Sequence, residues 1–107
     1  MQSDNLNNQQ GTSAAVQVSV GVASTALIAA DPTRRVLVIA TNVAPATTVD
    51  IMNGAAAVVG QGLRINSVAG QIIVFTAKDH GVLCTGAWNA IAGAAAQPVN
   101  VLSVVQA

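Results

Sequence analysis

The stretch ALIAADPTRRVLVIATN, residues 26–42, carries two of the chain's four basic residues between two apolar runs. Residues 31–34, Asp-Pro-Thr-Arg, suit a type I turn, because Asp is favoured at the first position and Pro at the second. The flanking runs, TALIA (25–29) and RVLVIAT (35–41), have the length and composition of strands. The stretch therefore predicts a β-hairpin, and it suggests an all-β chain.

Similar short runs recur along the sequence, separated by Gly, Pro, Asn and Asp. Apolar and polar residues alternate over residues 15–22, as in a half-buried strand. Further predicted strands are TVDIM (48–52), GLRI (62–65), QIIVFT (71–76), GVLCTGAW (81–88) and PVNVLSVV (98–105). The Ala-rich segments GAAAVVG (54–60) and AIAGAAA (90–96) are predicted as a loop and as a strand end entering a turn. About eight strands and no amphipathic helix predict an antiparallel β-sandwich or jelly roll.

The composition limits the core that this chain can build. Of its 107 residues, 52% are apolar and 7% are charged, with 21 Ala and 17 Val but one Phe, one Trp and no Tyr. This length suits one domain, and small core side chains give a single copy only modest stability. We expect a polar N-terminal arm at residues 1–13, MQSDNLNNQQGTS, and a single sandwich domain at residues 14–107.

Two of the runs, RVLVIAT and QIIVFT, are apolar at both sets of alternating positions. A lone sandwich has no need of this pattern, because its outer faces meet water, and no crossover helix is predicted to cover these strands. An uncovered QIIVFT would also be prone to aggregate. We therefore expect a homo-oligomer. The expected interface residues are Ile73 and Phe75 in the strand and Asn5, Asn8 and Gln9 in the arm.

Arg34 and Arg35 allow two interpretations. In the first, they solvate the turn and act as gatekeeper charges beside an apolar strand. In the second, one of them lies at a subunit boundary and makes a bidentate bond to a neighbour's carboxylate or backbone carbonyls. Successive strand residues point to opposite faces, so only one of the two can face the partner.

The chain lacks the residue groups that common catalytic and metal chemistries use. Its four acids are scattered, Glu is absent, and there is one His and one Cys. The chain therefore does not have the residues needed for paired-carboxylate catalysis, a calcium-binding loop or a zinc site. We expect His80 to be a turn residue and Cys84 a core residue, and no Lys follows GQG at 60–62 as a phosphate loop requires. We predict a non-enzyme with no cofactor, no metal site and no small-molecule substrate.

Charge and hydropathy argue against two further kinds of partner. A net charge of zero, with only four Lys and Arg, argues against nucleic-acid binding and against an anionic membrane surface. No apolar run reaches membrane-spanning length, and residues 1–10 do not have the pattern of a signal peptide, so we expect synthesis in a cytoplasm without processing. A small carbohydrate-binding β module is the alternative of a different class, and it would need Trp88 exposed in a concavity.

The segments also follow a familiar order. An Ala-Ala-Asp-Pro-x-Arg-Arg-x-Leu-x-Ile phrase leads into a strand, a Gly-punctuated loop follows, and a Gly-Ala-aromatic strand precedes a Val-rich one. These parts lie here at residues 29–42, 54–62, 86–88 and 99–105. In this order and spacing the chain resembles small structural proteins of tailed-bacteriophage virions. Asp50 in TVDIM and Asn89 after Trp88 depart from that pattern.

This resemblance implies a capsid decoration or cement protein, built as a β-sandwich and usually a homotrimer. Such a protein is made in the host bacterial cytoplasm, adds to an assembled head and stabilises it. Its partners would be the major capsid protein or other virion proteins. A head-fibre subunit, or a tail or collar anchoring subunit, is the alternative within the same class.

Overall fold

A computed structural model describes residues 11–41, 45–66 and 69–106 of the chain. These ranges contain eight strands and two four-residue helices. The strands are β1 (Gly11–Val20), β2 (Thr25–Ile28), β3 (Arg34–Ala40), β4 (Val49–Asn53), β5 (Leu63–Ile65), β6 (Ile72–Thr76), β7 (Trp88–Ala92) and β8 (Gln97–Gln106). The helices are α1 (Ala77–His80) and α2 (Val82–Thr85), both between β6 and β7.

The strands form two four-stranded antiparallel sheets. Sheet I has the order β1-β8-β3-β6, and sheet II has the order β2-β7-β4-β5. Each strand of the first half of the chain pairs with one of the second half: β1 with β8, β2 with β7, β3 with β6 and β4 with β5. The remaining pairs, β3 with β8 and β4 with β7, complete the two sheets.

The two sheets share one hydrophobic core. Leu37 and Ile39 of sheet I and Ile51 of sheet II are fully buried, and small residues fill the space between larger ones. Phe75 and Trp88, one from each sheet, stack with ring centroids 5.2 Å apart and an interplanar angle of 14°. Stacking the chain's single Phe on its single Trp gives a core of Val, Ala and Ile its largest contact. The two packed antiparallel sheets confirm the prediction of a mostly β, sandwich-like fold.

The turn at residues 31–34 forms as predicted, but the hairpin does not. The backbone N–H of Arg34 donates to the Asp31 carbonyl at 3.1 Å, and Asp31 Oδ1 accepts from the Thr33 N–H at 2.9 Å. However, β2 pairs with β7 while β3 pairs with β6 and β8, so the turn carries the chain from sheet II to sheet I. The local residues fix the turn, whereas distant strands decide which sheet each arm joins.

Four of the eight residues of the segment GVLCTGAW form α2 and only Trp88 lies in a strand, which corrects the predicted strand at 81–88. Thr76 caps α1, since its hydroxyl accepts from the Asp79 N–H at 3.3 Å. His80 Nδ1 accepts from the Thr76 N–H at 2.9 Å and closes the same turn. These local hydrogen bonds compete with strand pairing, and the chain returns to a strand only at Trp88.

Two other predicted boundaries can be compared with the structure. β1 begins at Gly11, so residues 11–13 of the expected arm belong to a strand, because uncharged Gly, Thr and Ser can pair with the end of β8. Residues 54–60 form a loop and residues 93–96 a turn, as predicted. In the described part of the chain, no helix is long and apolar enough to cross a membrane.

Candidate interaction surface

The outer face of sheet I is a largely apolar surface. Strand register places three rows of side chains on it. The rows are Ser13, Val104, Val36 and Thr76; Ala15, Leu102, Val38 and Val74; and Gln17, Asn100, Ala40 and Ile72. The polar residues lie toward the edges, and Gln17 Nε2 donates to Asn100 Oδ1 at 3.2 Å. The middle row is therefore apolar across all four strands.

This face is open in the single chain. Ile72 is 65% exposed, Val74 49% and Leu102 42%. A shallow depression of about 250 Å³ lies between β1, β8 and β3, with Ala15, Val38 and Leu102 among its lining residues. Contiguous apolar surface of this kind marks a contact with another macromolecule more often than a small-ligand site, which needs oriented polar groups.

The outer face of sheet II is built differently, because residues 54–62, the covering loop, lie over it. The Gly60 N–H donates to Asp50 Oδ2 at 2.8 Å and the Ala57 N–H donates to Ser24 Oγ at 2.8 Å. Asn89 Nδ2 donates to the Ala55 carbonyl at 2.7 Å. Three side chains thus hold the backbone of the loop against their own sheet.

An ion pair strengthens this closure. Arg64 Nε lies 2.9 Å from Asp50 Oδ1, and Nη2 lies 3.1 Å from Oδ2, a bidentate pairing between adjacent strands. Asp50 is only 4% exposed although it points away from the core. The hydrogen bond from Arg64, with that from the Gly60 N–H, holds the pKa of the Asp50 carboxyl below its usual range despite burial.

Arg34 is buried and bonds within its own chain. Its Nη1 donates to the carbonyls of Cys84 at 2.9 Å and Gly86 at 3.1 Å, and its Nη2 donates to the Ala29 carbonyl. With 2% of its surface exposed, it cannot reach a neighbouring subunit, which corrects the boundary role considered for it. The fork does bind backbone carbonyls, but it ties the turn between the sheets to the end of α2.

The other expected interface residues lie in different places. Arg35 is partly buried at the bulge in β3, and its contact with a partner stays a prediction. Phe75 is 7% exposed and packs in the core, where Ile73 packs against it from the same side of β6. Asn5, Asn8 and Gln9 lie outside the described residues.

The most exposed positions of β6 are the alternate ones, Ile72 and Val74, whereas Phe75 is buried and an interface role for the partly buried Ile73 stays a prediction. A sequence signal for this choice exists. A chain with one Phe and one Trp needs both in its core, so Phe75 should face inward and its neighbours outward. Leu102, which the sequence did not single out, lies at the centre of the apolar middle row because β8 runs between β1 and β3.

The residues considered for other chemistry have structural contacts. Cys84 is fully buried, and burial raises the pKa of its thiol. His80 is exposed and packs edge-on against Phe75 while its Nδ1 closes the α1 turn. Among the described residues, no three His, Cys, Asp or Glu side chains gather as a metal site would require.

Trp88 is 2% exposed, and its Nε1 donates to the Leu83 carbonyl at 2.8 Å. A sugar site built on this indole would need it exposed, so the carbohydrate alternative loses the residue on which it depended.

Comparisons of the chain with protein families, with curated proteins and with solved structures returned no match. The residues and their geometry are therefore what bears on function.

Proposed function

We propose that this chain is a homo-oligomeric structural protein of a bacteriophage virion, a capsid decoration protein that adds to the assembled head and stabilises it. The observation that carries the proposal is the outer face of sheet I, which is apolar along its middle row and open in the single chain. Burying it requires another subunit, as in an assembly. The resemblance to small virion proteins supplies the kind of assembly.

We also infer that the fold is a jelly roll. The first four strands pair in reverse order with the last four, as in one long hairpin rolled into two sheets. Eight strands arranged in this way are found in viral capsid proteins, and also in lectins and cupins. The topology supports a virion role only by analogy, since a fold does not decide a function.

The mechanism follows from linkage. A protein that binds the assembled shell, and not its separated subunits, shifts the equilibrium toward assembly by its own binding free energy. The open face spans four strands and about five residues of each, roughly 300 Å² from ordinary strand spacing. A standard interface buries about 800 Å² on each partner, so this face must act together with other contacts.

The oligomeric part of the proposal is tested by Leu102→Lys against Leu63→Lys. The two leucines are almost equally exposed, 42% and 43%, but Leu102 lies on the outer face of sheet I and Leu63 lies on β5 of sheet II. Sedimentation velocity should show an oligomer for the parent chain and for Leu63→Lys. For Leu102→Lys we expect the dissociation constant to rise at least about thirtyfold, as for a central interface residue. A monomeric parent chain, or equal effects of the two variants, would contradict the proposal.

The virion part is tested by immunogold labelling of particles made by the genome that encodes the chain. Label spread over heads supports a decoration protein. Label confined to a vertex, collar or tail contradicts a decoration role and supports the fibre or anchoring alternative. Unlabelled particles would contradict every virion role.

A further inference from the structure

Building on the oligomer in the proposed function, we propose that the outer edge of β1 pairs with the β1 of a second copy, antiparallel across a two-fold axis. Two copies of sheet I would then form one continuous eight-stranded sheet. The occupant of the edge is thus a second copy of this chain. Four features of β1 support this pairing. It lies at the edge of sheet I, it has no bulge or Pro that would hinder pairing, its side chains are exposed, and it carries no charge.

β1 is an edge strand of sheet I, and among the described residues only β8 pairs with it. The pairing runs through ten consecutive residue pairs without a bulge. At ~3.3 Å per residue, β1 offers a straight edge about 33 Å long. Every second residue of such an edge directs its backbone N–H and C=O outward, ready to pair with another strand.

Two of the other three edges, β2 and β5, carry features that prevent such pairing, and the third, β6, is half as long as β1. β2 has four residues and an irregular register, β5 has three residues and contains Arg64, and β6 has five residues. Natural sheets protect their edges by shortness, bulges, charge or Pro. β1 has ten residues, GTSAAVQVSV, with no charge, no Pro and no irregularity. Among the described strands it is therefore the longest edge that carries none of these features.

Side-chain exposure points to the same edge. Residues 12–17 are exposed on both faces of the strand. Val16 is 58% exposed. Its pairing partner on β8, Val101, lies on the same side of the sheet and is only 4% exposed. A strand added beside β1 would cover Val16, and the small side chains of Ser13, Ala14 and Ala15 leave room for it.

Charge favours a second copy over an unrelated partner. Across a two-fold axis each β1 side chain meets the same few side chains of the other copy, so any charge on the strand would face its own sign. β1 has none, and the whole chain has a net charge of zero. A different partner is usually selected by complementary charge, which this strand does not offer.

Pairing through β1 would also widen the outer face of sheet I. Two copies joined through β1 present that face as one surface of twice the width, because Ala15 and Leu102 lie beside the joined edge. The middle rows of both copies would then lie on the same side of one continuous sheet. A two-fold pair requires an even number of copies, whereas the resemblance to decoration proteins implies three.

The test compares Val16→Lys with Val22→Lys in the complete chain. Both valines are largely exposed, 58% and 66%, but Val16 lies within β1 and Val22 lies beyond its end. Neither lies on the outer face of sheet I, so that surface stays intact. Native mass spectrometry should show an even-numbered parent assembly, half that mass for Val16→Lys, and the parent mass for Val22→Lys.

Cross-linking provides a second, independent measurement. Val16→Cys should form an intermolecular disulfide on mild oxidation, while the parent chain should not, because its Cys84 is fully buried. Val22→Cys, as the matched control, should not cross-link at the same rate. Absence of the Val16→Cys disulfide, together with an unchanged Val16→Lys assembly, would overturn the pairing.

The failures of the two proposals can be told apart. A trimer that Leu102→Lys disrupts and Val16→Lys leaves intact overturns β1 pairing and supports the proposed oligomer. A parent chain that stays monomeric overturns both. An even-numbered assembly that Val16→Lys halves supports both.

Discussion

The outer faces of the two sheets differ in what covers them. On sheet II, Asp50, Ser24 and Asn89 hold the covering loop, and Arg64 pairs with Asp50. On sheet I, the equivalent face is a row of Ala, Leu and Val side chains with no charge and no loop over it in the described structure. In the described structure, one face is covered by a loop of its own chain, and the other is exposed.

The difference shows how a chain with few polar residues distributes them. Only 7% of its residues are charged, and one acid and one base of that small set are used to close sheet II. Backbone atoms of the loop then satisfy the buried carboxylate, which would otherwise be costly to desolvate. The three rows described on the outer face of sheet I contain no charged side chain. It can therefore be buried in an assembly with little desolvation cost.

The largest effect is expected where the two sheets are joined. Arg34→Ala removes a guanidinium that binds three backbone carbonyls and leaves those carbonyls buried without a donor. We expect a loss of about 3–5 kcal/mol in the free energy of unfolding, and a smaller loss for the less buried Arg35→Ala. Urea unfolding of both variants measures the difference. Equal losses would show that the carbonyl contacts contribute little to holding the sheets together.

A smaller effect is expected from disturbing the covering loop. A Cβ on Gly62 would lie 2.1 Å from the carbonyl oxygen of Ile51 in β4, and the backbone there has φ +79°. Gly54 has a similar φ of +80° but no atom within 4 Å of such a Cβ. Gly54→Ala should therefore cost about 1–2 kcal/mol, and Gly62→Ala should cost more because the clash adds to the strain. Thermal unfolding of the two variants is the measurement, and equal shifts would mean that the loop moves away freely.

The smallest of these effects concerns the ion pair and depends on pH. The pKa of Asp50 is lower in the folded chain, so its stabilising contribution is present at neutral pH and is lost as the pH falls through that folded pKa, below about pH 4. Asp50→Asn should lose about 1–2 kcal/mol at neutral pH. The difference from the parent should shrink on acidification, as followed by urea unfolding at several pH values. A difference that is constant with pH would mean that the charge of Asp50 is not what holds the loop.

The sequence predicted most strands but not the sheets that they join. Period-two alternation locates β1 and β8, and apolar runs locate β3 and β6, because these signals are local. Sheet membership depends on partners far away in the chain, which no single run reveals. The α2 segment, Val82–Thr85, has β-branched and apolar residues that imitate a strand, although the Thr76 and Asp79 cap beside it is a readable helix signal.

The sequence predicted that an apolar face exists, but it did not predict which residues form that face. Strands that are apolar at all positions predicted exposed apolar side chains on an outer face, and Ile72, Val74 and Leu102 are exposed there. Choosing between Ile72 and Ile73 required knowing which side of β6 the core lies on. The burial of Arg34 could not be predicted, because its acceptors Cys84 and Gly86 lie about fifty residues away and are brought there by tertiary structure.

The central position of β8 in sheet I has a consequence for the timing of folding. β8 lies between β1 and β3, so neither can complete its pairing in that sheet before the eighth strand has emerged from the ribosome. Leu102 and Val104 of β8 also make up much of the outer apolar face, which therefore cannot exist on a nascent or truncated polypeptide. In a protein that associates through this face, as we propose, association would have to wait until β8 has been made.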